Sequence, residues 1–254
     1  MPTVGEIFDF LNTKAPVETK LDFDNVGLLV GSRDWPVTSV LLALEITGAV
    51  IAEAKERGAG LVLSHHPLFF DLKTVSSEVP QGKKAMDLLT GHMAAVCMHT
   101  NLDAADGGVN DALASALGLG DARPYEPEHI CRLGTLPEPC ALPEFLARVK
   151  RALGCAGLRY AAGKKPVCRV AVGGGSCGSM LEEAAAAGCD TFVTADVKYD
   201  VFLRAKELGV NLIDAGHFNT ENVVIPVLRD WLTQAFPSLR VLLSRHGQTE
   251  EFFV

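Results

Sequence analysis

The sequence predicts an α/β protein made of two duplicated α/β halves with largely parallel or mixed sheets. Three observations predict it. Short apolar runs of strand length alternate with segments of helical pattern. The order of these segments occurs twice along the 254 residues. Polar side chains suited to chemistry fall directly after strands in both copies, where open α/β sheets keep their working residues.

In the first copy "SVLLALEIT" (Ser39–Thr47) is a short buried-type strand, and "GAVIAEAKERG" (Gly48–Gly58) is a helix closed by glycine. "GLVLSHH" is the next strand, "GKKAMDLLTG" a helix, and "MAAVCMHTNLD" a strand running into a loop. In the second copy "CRVAVGGG" (Cys168–Gly175) is a strand and "GSMLEEAAAAG" (Gly178–Gly188) a helix. "CDTFVTAD" is a strand, "VFLRAKELG" a helix, and "VNLIDAGHFNTE" a strand running into a helix that starts near Asn219. Gly58 and Gly188 each end a helix, and a strand tip follows: His65-His66 in one copy, Ala195-Asp196 in the other. The next unit closes with "HTNLD" (His99–Asp103) and "HFNTE" (His217–Glu221), both His-x-Asn-x-carboxylate. An internal duplication explains the parallel. The halves are drawn at residues 1–120 and 166–254. The stretch 121–165 is rich in Pro and Glu and breaks the pattern. It reads as a connecting segment, with one helix at Pro143–Leu153 and the first elements of the second half.

Composition excludes several classes. Hydrophobic residues make up 48% and charged residues 21%, the balance of a globular protein with a sizeable core. The net charge of −8 offers no basic stripe for phosphate backbones, which argues against a nucleic-acid partner. Seven cysteines, an odd number with no C-x-x-C pair, argue against a disulfide framework and a cysteine zinc site. They suit a reducing cytoplasm. "MPTVGEIFDFLN" lacks the pattern of a signal peptide, and no apolar run reaches the ~20 residues of a membrane span.

"LVLSHHPLFF" (Leu61–Phe70) puts two imidazoles at the tip of an apolar strand. A single histidine there is ordinarily a hydrogen-bonded core residue. A pair, with a His-x-Asn-x-acid unit in both halves, points instead to metal. His65, His66, His99, Asp103, Asp196, His217 and Glu221 all follow strands, and two pseudo-equivalent halves would bring them to a shared cleft. Neutral imidazoles and carboxylates are the usual ligands of zinc, manganese and iron(II). Glu221 in a first helical turn also suits the positive helix end.

These residues carry a resemblance to the NIF-three-like family, often labelled GTP cyclohydrolase type 2 homologues. The matching stretches are "FDNVGLLVG", "SHHPLFF", "HTNLDAADGGVND", "GTLPEP", "VAVGGGSCG", "VTADVKYD" and "AGHFNTE", in family order and across nearly the whole chain. The resemblance implies two intertwined halves with a dinuclear metal centre in the cleft between them. It places ligands on His65, His66, Asp103, His217 and Glu221, with His99 beside the site as a further ligand or supporting residue. It also implies a homohexamer. The chain departs from the family pattern at Phe23, Glu45 and Ala195, where tryptophan, aspartate and glycine are usual.

Two further motifs lack their context. "LLSRHGQTE" (Leu242–Glu250) resembles the Arg-His-Gly signature of histidine phosphatases, but only four residues follow Glu250. A terminal strand and turn explains it. "GGGSCG" (Gly173–Gly178) fits a dinucleotide fingerprint as a string, yet the βαβ units that fold needs do not follow. A tight turn into a helix explains the glycines, with a substrate phosphate on the helix start as a weaker reading.

Two functions follow as expectations. One is a metal-dependent hydrolase of nucleotide-like or phosphoester substrates with two divalent ions per chain (zinc, iron, manganese or nickel). Such ions acidify water and polarise a carbonyl, imine or phosphoryl oxygen. Asp103 and Glu221 would bridge, His65, His66 and His217 would be terminal ligands, and His99 would carry a proton. The other is a non-catalytic metal-binding regulatory or assembly protein.

Overall fold

The structure, a computed structural model, describes residues 1–246. Its chain divides into two compact units, residues 1–106 together with the described residues from Ile225 onward, and residues 107–224. These limits follow packing. They differ from the sequence repeats at both ends: residues 107–120 lie with the second unit, and the described residues from Ile225 onward lie with the first.

The first unit begins with α1 (Val4–Lys14). Thr3 and Glu6 cap it reciprocally: Glu6 N–H donates to Thr3 Oγ1 at 3.2 Å and Thr3 N–H to Glu6 Oε2 at 2.8 Å. Val4, Ile7 and Leu11 form its buried stripe. Then come β1 (Gly27–Val30), β2 (Ser39–Ala43), α2 (Gly48–Glu56), β3 (Leu61–Ser64), α3 (Pro80–Thr90), β4 (Ala94–Cys97) and the short α4 (Thr100–Ala104). The second unit holds α5 (Val109–Ala116), β5 (Gly120–Arg123), β6 (Arg132–Cys140), α6 (Leu142–Leu153), β7 (Arg159–Ala161), β8 (Val167–Val172), α7 (Leu181–Ala186), β9 (Thr191–Thr194), α8 (Tyr199–Leu208), β10 (Asn211–Asp214) and α9 (His217–Glu221). The chain then enters α10 (Val224–Ala235) and β11 (Arg240–Leu243).

The first sheet has the order β1-β4-β3-β2-β11 and the second β5-β6-β8-β9-β10-β7. Strands β2, β3 and β4 are parallel neighbours, as are β8, β9 and β10. In each sheet the third of these strands takes an antiparallel edge strand from earlier in the chain, β1 on β4 and β7 on β10. The duplication is therefore one of topology, and both sheets are mixed, as expected of the fold class. The halves are intertwined in chain order: β11 runs parallel to β2 and completes the first sheet after the second unit is built. The segment 121–165, read as a connection, contributes β6 and β7 to the second sheet as well as the expected helix, α6.

Each unit has its own core. Leu41, Val62, Ala95, Val50 and Leu88 meet in the first, and Phe145, Val149, Val170, Val193 and Ile213 in the second. A fully buried side chain of this kind is worth about 1.5–3 kcal/mol. All residues of β2, β3, β4, β9 and β10 are buried, which is why their central residues are apolar without alternation. No helix among the described residues is long and apolar enough to cross a membrane. The Arg-His-Gly string begins in β11 and its turn, and residues 247–250 of it lie outside the described residues.

Candidate metal centre

In the first unit the site grows from the ends of β3 and β4. His65 and His66 follow β3 directly. The backbone there is pinned: His66 N–H donates to the Leu44 carbonyl at 2.8 Å, and the Ser64 hydroxyl donates to the His66 carbonyl at 2.7 Å. His65 is fully buried. Its Nδ1–H donates to the Met98 carbonyl at 2.9 Å. A carbonyl can only accept, so this bond sets the tautomer and leaves Nε2 as the lone-pair nitrogen. That nitrogen lies 3.7 Å from Asp103 Oδ1. One nitrogen each of His65, His66 and His99 lies within 4.8 Å of the others, a group that could hold a metal ion. His66 Nδ1 is also 3.4 Å from the Glu45 carboxylate.

His99 stands just ahead of α4, and Asp103 is inside that helix. Asp24, on a loop far away in sequence, fixes His99. It accepts from His99 Nδ1 at 2.9 Å, from the Thr100 amide at 3.0 Å and from the Thr100 hydroxyl at 2.5 Å. Burial alone would raise the Asp24 pKa. The hydrogen bonds from His99 and Thr100 outweigh it and hold the carboxyl well below the usual range. Sequence reasoning missed Asp24. Its only signal was its place inside "FDNVGLLVG".

In the second unit α9 begins at His217 itself, not near Asn219, and ends at Glu221. Their separation of four residues puts them on one helical face, with His217 Nε2 3.1 Å from Glu221 Oε2. Asp196, held at φ +50° after β9, accepts from His217 Nδ1 at 2.7 Å. Burial would lower the imidazolium pKa, but Glu221 and Asp196 on its two nitrogens push it up to about 9. Glu221 is buried. The Gly173–Gly175 turn makes room for it: a Cβ on Gly175 (φ +62°) would stand 2.1 Å from Glu221 Oε1. Gly174 and Gly175 therefore serve Glu221, while Gly173 makes room for Cys177 and Cys131. Three N–H groups of this turn are taken by protein acceptors rather than offered to a phosphate. Gly174 donates to Asn110 Oδ1, Gly175 to the Thr220 hydroxyl and Cys177 to the Thr194 hydroxyl.

The two His-x-Asn-x-acid units are one residue out of step. Ser64 pairs with Cys97, and Thr194 pairs with Asp214. Two residues beyond these partners come His99 and Gly216, the caps of α4 and α9. His217 thus corresponds in place to Thr100, and His66 to Asp196.

The fold and these groups define a duplicated α/β protein that carries histidine and glutamate side chains able to bind a metal. Residues 2–249 match the family described as Duf34/NIF3 (NGG1p interacting factor 3), and the chain belongs to it. It is 37% identical over 226 residues to a Clostridium perfringens protein named GTP cyclohydrolase 1 type 2 homolog, with 86% of each chain covered. A Bacillus cereus protein described as related to NIF3 shares the fold with a TM-score of 0.93 at 24% identity, over 100% of this chain and 99% of that one. A Staphylococcus aureus hypothetical protein matches with a TM-score of 0.91 at 26% identity, over 100% of both chains.

Proposed function

We propose that the protein is a metal-dependent hydrolase that uses two divalent ions and acts on a nucleotide-like or phosphoester substrate. The observation that carries this reading is the arrangement of His65. Its Nδ1 is occupied by a backbone carbonyl while Nε2 faces the Asp103 carboxylate in a group of imidazoles. A backbone acceptor on the far nitrogen is the usual way a ligating imidazole is oriented. The donor set fits zinc, iron, manganese or nickel, since each unit brings imidazole and carboxylate together. The ligands are His65, His66, Asp103, His217 and Glu221. Divalent ions bound there supply Lewis acidity, which acidifies water and polarises an acceptor oxygen of the substrate.

The chain's own residues do the rest. Asp103 and Glu221 balance cationic charge. Asp196 orients His217, and Asp24 orients His99. With Nδ1 donated to Asp24, His99 has Nε2 available to carry a proton. The reading includes a homohexamer in the cytoplasm. The assembly is what the family resemblance implies, and seven cysteines without a disulfide among the described residues suit that compartment.

Metal per chain by elemental mass spectrometry, with turnover of a nucleotide and phosphoester panel with and without chelator, tests the reading. Chelator and Glu221→Gln should each remove activity, with metal affinity down by ~100-fold or more. That exceeds the roughly 10–100-fold expected of residues that only orient a ligand. Tight metal with no turnover on any panel member would leave a regulatory metal-binding protein. Metal per chain near zero would exclude both.

A further inference from the structure

We propose that Phe23 and Phe70 form a stacking platform for a planar aromatic ring, so that the substrate of the proposed hydrolase carries a nucleobase-like heterocycle. Two large aromatic side chains stand open to solvent here, Phe23 at 66% and Phe70 at 56% exposure. Their ring centroids are 6.2 Å apart and tilted by 48°. The pair continues into the imidazole group. The Phe70 ring is 5.9 Å from that of His99, which is 5.1 Å from His65 and 5.5 Å from His66. A ring held on Phe70 would sit one aromatic step from His99.

The platform is built rather than incidental. Phe69, next to Phe70, is half-buried and packs on the first unit's core. The Asn25 side-chain amide donates to the Phe69 carbonyl at 2.8 Å and ties the two loops together. Asp24, adjacent to Phe23, is anchored by His99 and Thr100. Lys20 Nζ donates to the Asp24 carbonyl at 2.8 Å and braces the same turn. The two rings are thus presented outward on backbone that is fixed, at little entropic cost to a ligand. Every nucleobase has a π face, and base–aromatic stacking strengthens binding by roughly 5- to 150-fold per base.

The proposal rests on the hydrolase reading only for the reaction; binding is read out separately. Calorimetry would compare adenosine 5′-monophosphate, guanosine 5′-monophosphate and ribose 5-phosphate on the full chain, with metal per chain recorded for every sample. Wild type should bind the two nucleotides at least ~10-fold more tightly than ribose 5-phosphate. Phe70→Ala and Phe23→Ala should abolish that preference while keeping ribose 5-phosphate binding, metal content and circular dichroism. Phe70→Trp should restore it. Equal binding of all three ligands by wild type, full preference in Phe70→Ala, or no rescue by tryptophan would overturn the platform. So would dissociation of an oligomer in either alanine variant by size-exclusion chromatography, since the rings would then be a subunit contact. A protein with no turnover that keeps the base preference would sink the hydrolase reading and leave the platform standing.

Discussion

The ends of β3 and β4 and the ends of β9 and β10 are the same place in two copies of one topology, yet they are furnished differently. In the first unit three imidazoles gather, and a buried carboxylate, Asp24, stands behind His99. In the second a single imidazole lies between two carboxylates, Glu221 and Asp196. Where the first copy has His66, the second has Asp196. A duplicated backbone thus supplies two platforms of similar geometry and different make-up: three imidazoles with the carboxylates of Asp24, Asp103 and Glu45 on one, a single imidazole with those of Asp196 and Glu221 on the other. Duplication fixes where a side chain can stand, and substitution afterwards decides what stands there.

The widest difference should emerge at the glycine turn, which has its role only in the second unit. Gly175→Ala places a Cβ against Glu221 at a φ of +62°. Overpacking and the left-handed backbone together should cost about 2–4 kcal/mol, and metal should be lost as Glu221 moves. Gly48→Ala in the first unit has nothing within 4 Å of the new Cβ. It should change stability by less than ~1 kcal/mol. Chemical denaturation of both variants is the check, and equal effects would show that the turn does not hold Glu221.

The two supporting carboxylates should differ next. Asp196→Asn, which frees the proposed ligand His217, should weaken metal binding by roughly 10–100-fold, whereas Asp24→Asn, which frees the proton carrier His99, should lower turnover and leave metal affinity within ~10-fold. Asp24 has a fully buried side chain, whereas that of Asp196 is 47% exposed. Asp24→Asn should therefore also cost about 1–3 kcal/mol of stability. Asp196→Asn should cost within ~0.5 kcal/mol, since asparagine tolerates the same positive φ. Paired metal titrations and melting curves separate the two; identical melting would mean that Asp24 does not brace the first site.

The smallest effect concerns the strand that only the first sheet takes from later in the chain. Glu53 in α2 accepts from the Ser244 hydroxyl at 2.7 Å, the Arg245 amide at 3.0 Å and Arg57 at 2.6 Å. Burial would raise its pKa, but these bonds and the Arg57 charge lower it below the ordinary 4.5. A depressed carboxyl pKa stabilises the fold above about pH 4.5, and that contribution fades as pH falls through the folded value. Glu53→Gln should thus cost about 1 kcal/mol near neutral pH, with the gap to wild type closing as the pH falls below about 4.5. A gap that widened on acidification would contradict the assignment.

Much of this was legible beforehand. The strands around His65, Met98, Val193 and Ile213 announce themselves because full burial on both sheet faces leaves short apolar runs at their centres. The donor residues were visible because they interrupt such runs at strand tips. Asp24 and Asn110 were not legible, since each acts on a partner 75 and 64 residues away. The sense of Gly175 was hidden too, because it is written in the side chain of Glu221.

By itself the sequence determined the βα alternation, its duplication and the chemistry of the donors, because periodicity and residue type are local properties. Only the tertiary structure decided that β11 joins the first sheet, that the two histidine motifs are one residue out of step, and which carboxylate orients each ring. Those outcomes depend on hydrogen-bond register and on contacts between distant segments, which no window of neighbouring residues contains.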